Sequence, residues 1–409
     1  MHKQSPLLAI FGIIIFLIEL ASSEYFKSSA LAQSDFRIAQ AEGTLIANRR
    51  YGVHRNRRIP IPRGEGDANN EIPYIISPRT TLVLGGNQLI QWNDVSQGSQ
   101  NYDLAVLDIT NDLNKITIWN SIYERDEVCI NQVCSITLSD SLNLSSGRSY
   151  LVKVVSDDGE FDKSPGISFS LINSEEDALV IDERIAIEAQ SLSANATALM
   201  IADLYVQHDL FSEALQVLEK VPESQRTAKT NLEIARSYQR IGLVNTAAIF
   251  YGTALELATD ELDDKAAADA KLGLGLISFS LRERQEALNY LTEAKDTYRQ
   301  LGDLYFLGET LFALRDATRA IGKLEEADQL LQEAKSVYKA LIFELDNTNT
   351  DPKSIAEAYS NLGDVYSLLG EQSEAINSYE TAMNIYIELG DTETAIEFEE
   401  IILDIQSES

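Results

Sequence analysis

Histidine, cysteine and basic side chains are scarce in this chain, and each scarcity closes off a class of function. Of 409 residues, three are His, two are Cys and 33 are Lys or Arg against 64 Asp or Glu, a formal net charge of −31. Chemistry near neutral pH most often uses a histidine as acid or base. His2 falls in an N-terminal apolar region, His54 in an arginine-rich segment and His208 at a turn between helical patterns. None sits in a constellation with Ser or Cys and an acid, so the reading is not an enzyme. The acidic balance repels phosphate backbones and anionic headgroups, which argues against nucleic acid as a partner and limits membrane contact to the N-terminal region. Cys129 and Cys134 flank INQV with no histidine nearby, a spacing that suits no four-ligand zinc site. In an oxidising compartment the pair suits a short hairpin disulfide.

Cofactor fingerprints are missing too. GLGLIS at 273–278 lacks the third glycine of a dinucleotide loop and follows a helical pattern, so close helix packing accounts for it. SDDGEFD at 156–162 lacks the ligand spacing of a calcium loop and reads as a charged hairpin turn. No cofactor and no metal are expected.

One long apolar run is present, LLAIFGIIIFLIEL at 7–20. At 1.5 Å per residue its 14 residues span about 21 Å as a helix, short of the ~30 Å hydrocarbon core. Ala30-Leu31-Ala32 then offers a small-x-small cleavage site, so residues 1–32 read as a signal peptide and the protein as exported, periplasmic or extracellular. An uncleaved anchor over residues 7–20 is the alternative. Residues 33–73 read as a largely disordered basic linker. Within it NRRYGVHRNRRIPIPR (48–63) carries six arginines and no acid, a solvated arm or a contact for an anionic surface.

From about 74 to 173 short β-rich runs alternate with turns: TLVL (81–84), LIQW (89–92), YDLAVLDI (102–109), KITIW (115–119), SITLS (135–139), YLVKVV (150–155) and ISFSLI (167–172). Seven strands in about 100 residues predict an all-β sandwich. LIQW, with Trp92 for the core, and LNLSSGRSYLVKVV, with Leu142, Gly147, Tyr150, Val152 and Val154, resemble the fibronectin type III module and its tyrosine corner. That resemblance implies an Ig-like fold and no chemistry.

From 175 to 409 the pattern is helical and repeats. AEAYSNLGDVYSLLGEQSEAINSYETAMNIY places Tyr359, Leu362, Gly363, Tyr366, Gly370, Ala375, Tyr379 and Ala382 at the offsets of a tetratricopeptide repeat, which it resembles. Partial copies share its phase, with central alanines at 214, 247, 287, 327 and 375, spaced by 33, 40, 40 and 48 residues. The last spacing carries an extra loop, ELDNTNTDPKS. Arg315 and Arg282 stand where that pattern has glycines, one within a helix and one at a turn. The expectation is an all-α superhelical solenoid of five helix pairs, a helix over 178–190 before them, and a polar-faced capping helix over 392–405. The whole arrangement resembles exported tetratricopeptide proteins of cyanobacteria.

In such arrays the first helix of each pair lines a concave groove. The resemblance places Lys229, Leu232, Arg236, Gln239 and Arg240 of the second pair there, with Leu272, Leu276 and Phe279 of the third, Phe312 and Arg319 of the fourth, and Ser360, Asp364 and Ser367 of the last. Arginines at one end and apolar residues midway would suit an extended peptide with acidic and hydrophobic side chains. The expected function is a non-catalytic, extracytoplasmic scaffold that binds a partner polypeptide in that groove. The alternative is an envelope-tethered structural protein held by an uncleaved N-terminal helix and the basic arm.

Overall fold

The computed structural model describes residues 72–407 apart from 80, 87, 96–98, 111–114, 131, 139–141, 143, 158, 160, 162–167 and 349–350. The signal segment, the basic arm and nearly all of the 33–73 linker lie outside the described residues, as do residues 158, 160 and 162 of the 156–162 turn. Among the described residues, no helix is long and apolar enough to cross a membrane.

Among the described residues nine strands come first: β1 (Ile75–Ser77), β2 (Thr81–Val83), β3 (Gln88–Asn93), β4 (Asn101–Asp108), β5 (Ile116–Glu124), β6 (Cys129–Ile130), β7 (Val133–Leu138), β8 (Ser149–Ser156) and β9 (Ser168–Leu171). One helical turn, α1 (Arg125–Val128), separates β5 from β6. The strands form two sheets, β1-β3-β7-β6 and β2-β9-β8-β4-β5, antiparallel throughout except where β2 runs parallel to β9. Strict alternation in β4 and β8 turns Tyr102, Leu104 and Val106, and Tyr150, Val152 and Val154, onto one core with Ile90, Trp92 and Phe169. Trp92 is fully buried there. The Tyr150 hydroxyl accepts the Ser145 N–H at 2.7 Å, pinning the turn before β8. Two strands, β1 and β6, were not expected, and β5 runs on past the KITIW stretch (115–119), with Asn120 and Ser121 paired to Ala105 and Leu104.

The rest is helical: α2 (Ser174–Glu188), α3 (Ala194–Gln207), α4 (Phe211–Glu219), α5 (Ala228–Arg240), α6 (Val244–Glu261), α7 (Asp264–Ser280), α8 (Arg284–Leu301), α9 (Leu304–Ala320), α10 (Leu324–Asn347), α11 (Pro352–Leu369), α12 (Gln372–Glu388) and α13 (Thr392–Ser407). They pack as antiparallel pairs, α3/α4 to α11/α12, each pair against the next, with α2 before them and α13 after. Ala214, Ala247, Ala287, Ala327 and Ala375 are all fully buried, each in the second helix of its pair. Five residues before each alanine stands the turn residue: Asp209, Gly242, Arg282, Gly322 and Gly370, all with positive φ between 57° and 85°. The amide following it bonds back to a carbonyl five residues earlier, as in Glu371 N–H to Tyr366 O at 2.9 Å and Glu283 N–H to Ser278 O at 2.8 Å. This is the left-handed helix stop that glycine adopts without strain, and Arg282 and Asp209 adopt it too.

Close approach of the paired helices needs small residues. A Cβ on Gly363 would lie 2.7 Å from the Tyr379 ring, and one on Gly275 2.7 Å from Leu291. In the fourth pair Arg315 holds that place, buried, with its guanidinium 2.6 Å from Asp316. The tight contact moves two turns back, where a Cβ on Gly308 would meet Tyr338 at 2.6 Å. The extra length before the fifth pair is only partly loop: α10 continues through Asn347, a helix of 24 residues. Asp351 precedes α11 without a side-chain cap, and Pro352 opens the helix instead.

Candidate functional site

Successive first helices touch one another, α3 with α5, α5 with α7 and α7 with α9, so their side chains line the inner face of the stack. The Asn361 side chain of α11 donates to Glu309 of α9 at 3.1 Å and continues that line. A tyrosine ladder from the second helices supports it. Tyr298 on α8 donates to Asp269 on α7 at 2.6 Å, Tyr338 on α10 to Glu309 on α9 at 2.9 Å, and Tyr379 on α12 to Asp364 on α11 at 2.6 Å. Burial, then the neighbouring carboxylates, drive the Tyr298 and Tyr338 hydroxyls well above their ordinary pKa, so they remain donors. The signal is legible in the sequence yet easily missed: an acid is followed by Tyr 29 residues later at Asp269/Tyr298 and Glu309/Tyr338.

The groove candidates divide. Leu232, Leu272 and Gln239 are buried; the leucines belong to the packed core, and Gln239 accepts the Tyr251 hydroxyl at 2.7 Å. These three serve packing rather than an open surface, because TPR offsets select a helix face without saying how far a neighbour overlaps it. Arg236 was expected at an open end of the groove, but it bonds Glu233 at 2.6 Å and Asp269 at 2.7 Å with its side chain 14% exposed. Lys265 joins the same network, 3.1 Å from both Asp269 and Asp303 and 3.7 Å above the Phe306 ring. Arg240 lies over the Phe211 ring. Leu276, Phe279 and Phe312 are half-buried against one core cluster, and Arg319 is exposed. Lys229 is half-buried at the start of α5. Ser360 is buried, and Asp364 is taken by Tyr379.

Elsewhere, Asp94, Cys129 and Cys134 bring their ligand atoms within 4.8 Å of one another. The Asp94 carboxylate is paired with Arg125, whose Nε donates to it at 2.9 Å, and it accepts the Tyr102 hydroxyl at 2.8 Å. Cys129 and Cys134 face each other across the β6–β7 pair. His208 stands 2.6 Å from Glu176 and ties the first turn to α2.

With the repeat geometry in place, residues 356–385 match the family model of the tetratricopeptide repeat. The helical region is tetratricopeptide-like. No curated protein is significantly similar to the chain in sequence. Among solved structures it is similar to BtubC (BKLC) from P. vanneervenii, at 20% identity over 53% of this chain and 90% of that one, with a TM-score of 0.38. It is also similar to a signal transduction ATPase with a tetratricopeptide repeat sensor from Pyrococcus horikoshii (18%, 54% and 33%, TM-score 0.40) and to aspartyl phosphate phosphatase F from Bacillus subtilis (16%, 56% and 59%, TM-score 0.36). A tetratricopeptide-like fold suggests a protein–protein interaction scaffold.

Proposed function

We propose that the protein holds an extended partner polypeptide against the inner face of its tetratricopeptide-like array, outside the cytoplasm. One observation carries this reading: Leu276 and Phe279 on α7 and Phe312 on α9 keep part of their apolar surface uncovered along adjacent first helices. Repeat packing covers only part of these three side chains, which rest against the core cluster and, for Phe312, the Tyr338 ring. The paired arginine Arg236 contributes an internal ion network rather than a ligand contact, so the partner is selected first by apolar side chains in this stretch.

The strand-rich unit fits a fibronectin type III-like module. Its two-sheet strand order, the buried Trp92 and the Tyr150–Ser145 bond support that assignment. Cys129 and Cys134, opposed in register, are proposed to form a disulfide, which agrees with export directed by residues 1–32.

The test places a photo-crosslinking amino acid at Phe279 or Phe312 in the full chain, expressed in its own host. Crosslinks to a polypeptide, lost on Phe279→Ala with Phe312→Ala at unchanged helicity, are expected. No crosslink from either position, or crosslinks unchanged in the double alanine chain, would overturn the groove assignment.

A further inference from the structure

We propose that β5 is a self-association edge, through which two copies of this chain pair antiparallel and extend the five-stranded sheet across a two-fold axis. Among the described residues β5 has one strand neighbour, β4, and ends its sheet. Its outer backbone groups therefore carry no strand partner among the described residues, and such a row of donors and acceptors can pair with another strand. Most edge strands are guarded by lysine, proline or inward charge. Between Ile116 and Tyr123 this one has neither charge nor proline, and Ile116, Ile118 and Ile122 are 60%, 38% and 68% exposed.

The guard that is present sets the register. Val106 pairs with Trp119 but Leu107 with Thr117, so Ile118 is an extra residue that bends one end of the strand. Trp119–Glu124 remains in unbroken register with Asn101–Val106. A two-fold axis at Ile122 pairs this regular stretch with itself and sets the two Ile122 side chains beside each other on the outer face of the sheet.

Charge selects a second copy over a foreign acidic or basic strand. Each chain carries a net charge of −31, so two copies repel unless they meet where the charge is locally absent. β5 is such a place, and its ends differ in sign: Lys115 precedes it and Glu124 closes it, while Arg125 is neutralised by Asp94. Antiparallel pairing sets unlike ends together, whereas parallel pairing sets like with like. The edge is about 30 Å long at ~3.4 Å per residue, and the closed two-fold arrangement leaves no further β5 edge for growth. The inference is independent of the groove reading, because it uses neither the helices nor their partner.

Sedimentation velocity of the full chain between about 1 and 200 µM, with hydrogen exchange at both ends of that range, decides it. A concentration-dependent dimer is expected, with slowed exchange gained within 116–124. Ile122→Lys, at a solvent-facing position that leaves the melting curve in place, should weaken the dimer at least about tenfold. A chain that stays monomeric to 200 µM overturns the proposal. So does a dimer whose added protection lies outside β5, or a monomer in which β5 is already protected, as it would be if the N-terminal segment covered the edge.

Discussion

Glu213 offers a pH test of how the strand-rich unit and the solenoid are joined. It lies in α4, its Oε1 accepts the Leu84 N–H at 2.9 Å, and its Oε2 is buried without a hydrogen-bond partner. Burial pushes the carboxyl up from 4.5 to about 7, against the lowering effect of the Leu84 hydrogen bond, and the nearby Asp177 pushes the same way. The folded state thus prefers the neutral acid. Below about pH 4.5 both folded and unfolded chains carry the proton, and the group leaves stability untouched. As pH rises toward 7 the unfolded chain ionises first, so stability falls by up to ~1.4 kcal/mol per pH unit, about 3 kcal/mol in all.

Glu213→Gln keeps a carbonyl for Leu84 and removes the titration. Trp92 and Trp119 are the two tryptophans of the chain, and both belong to the strand-rich unit, so their fluorescence reports loss of that unit directly. Urea midpoints at pH 5, 6, 7 and 8 should diverge: relative to wild type, the Gln chain gains about 2–3 kcal/mol between pH 5 and 8. Taking the difference cancels the other carboxylates, provided they are unaffected. Parallel curves for the two chains would refute the reasoning, because a buried carboxyl held neutral by the fold cannot leave the slope unchanged.

Two substitutions probe the solenoid. Leu262 closes α6 at φ 56° with its side chain 88% exposed, a left-handed conformation with no packing in return, so Leu262→Gly should raise stability by about 1 kcal/mol in a thermal melt. Gly308→Ala drives a methyl group into the Tyr338 ring at 2.6 Å and should cost about 1–3 kcal/mol, with slowed exchange lost first in α9 and α10.

The repeat was legible because its signal is steric and local. Buried alanines and left-handed turn residues recur at a fixed separation of five, and the fold needs small side chains at the first and a helix stop at the second. Arg282 and Arg315 looked like faults in that pattern. The backbone treats them differently: Arg282 adopts the glycine conformation at the turn, whereas Arg315 lets the close approach pass to Gly308. Groove residues were less legible. An offset identifies a helix face, but whether Leu272 or Leu276 on that face stays uncovered depends on how neighbouring pairs overlap. Arg236 shows the same limit for charge: Glu233 is an i,i+3 neighbour on its own helix, but Asp269 reaches it only when the third pair stacks on the second.

The junction between the two parts was invisible to periodicity, because it rests on isolated side chains that bond the backbone of the turns. Asp209 turns the first pair in the left-handed conformation, and its carbonyl accepts both the Leu82 N–H at 3.1 Å and the Thr81 hydroxyl at 2.9 Å. The same hydroxyl accepts the Phe211 N–H at 3.0 Å. Arg79, 1% exposed, donates from Nε to Ile241 O at the turn of the second pair and from Nη1 to Ile75 O in β1. The chain from β1 to β2 therefore runs across two consecutive turns and bonds to both. Tyr74 and Ile172 from the strand-rich unit, and Val180 from α2, enter the core of the first pairs, so the apolar end of the array is covered without a polar-faced helix of the α13 kind. A unit fastened along the turns meets the array at its edge. The side chains of Leu276, Phe279 and Phe312 lie on the first helices of the third and fourth pairs, away from the turns that Thr81 and Arg79 bond.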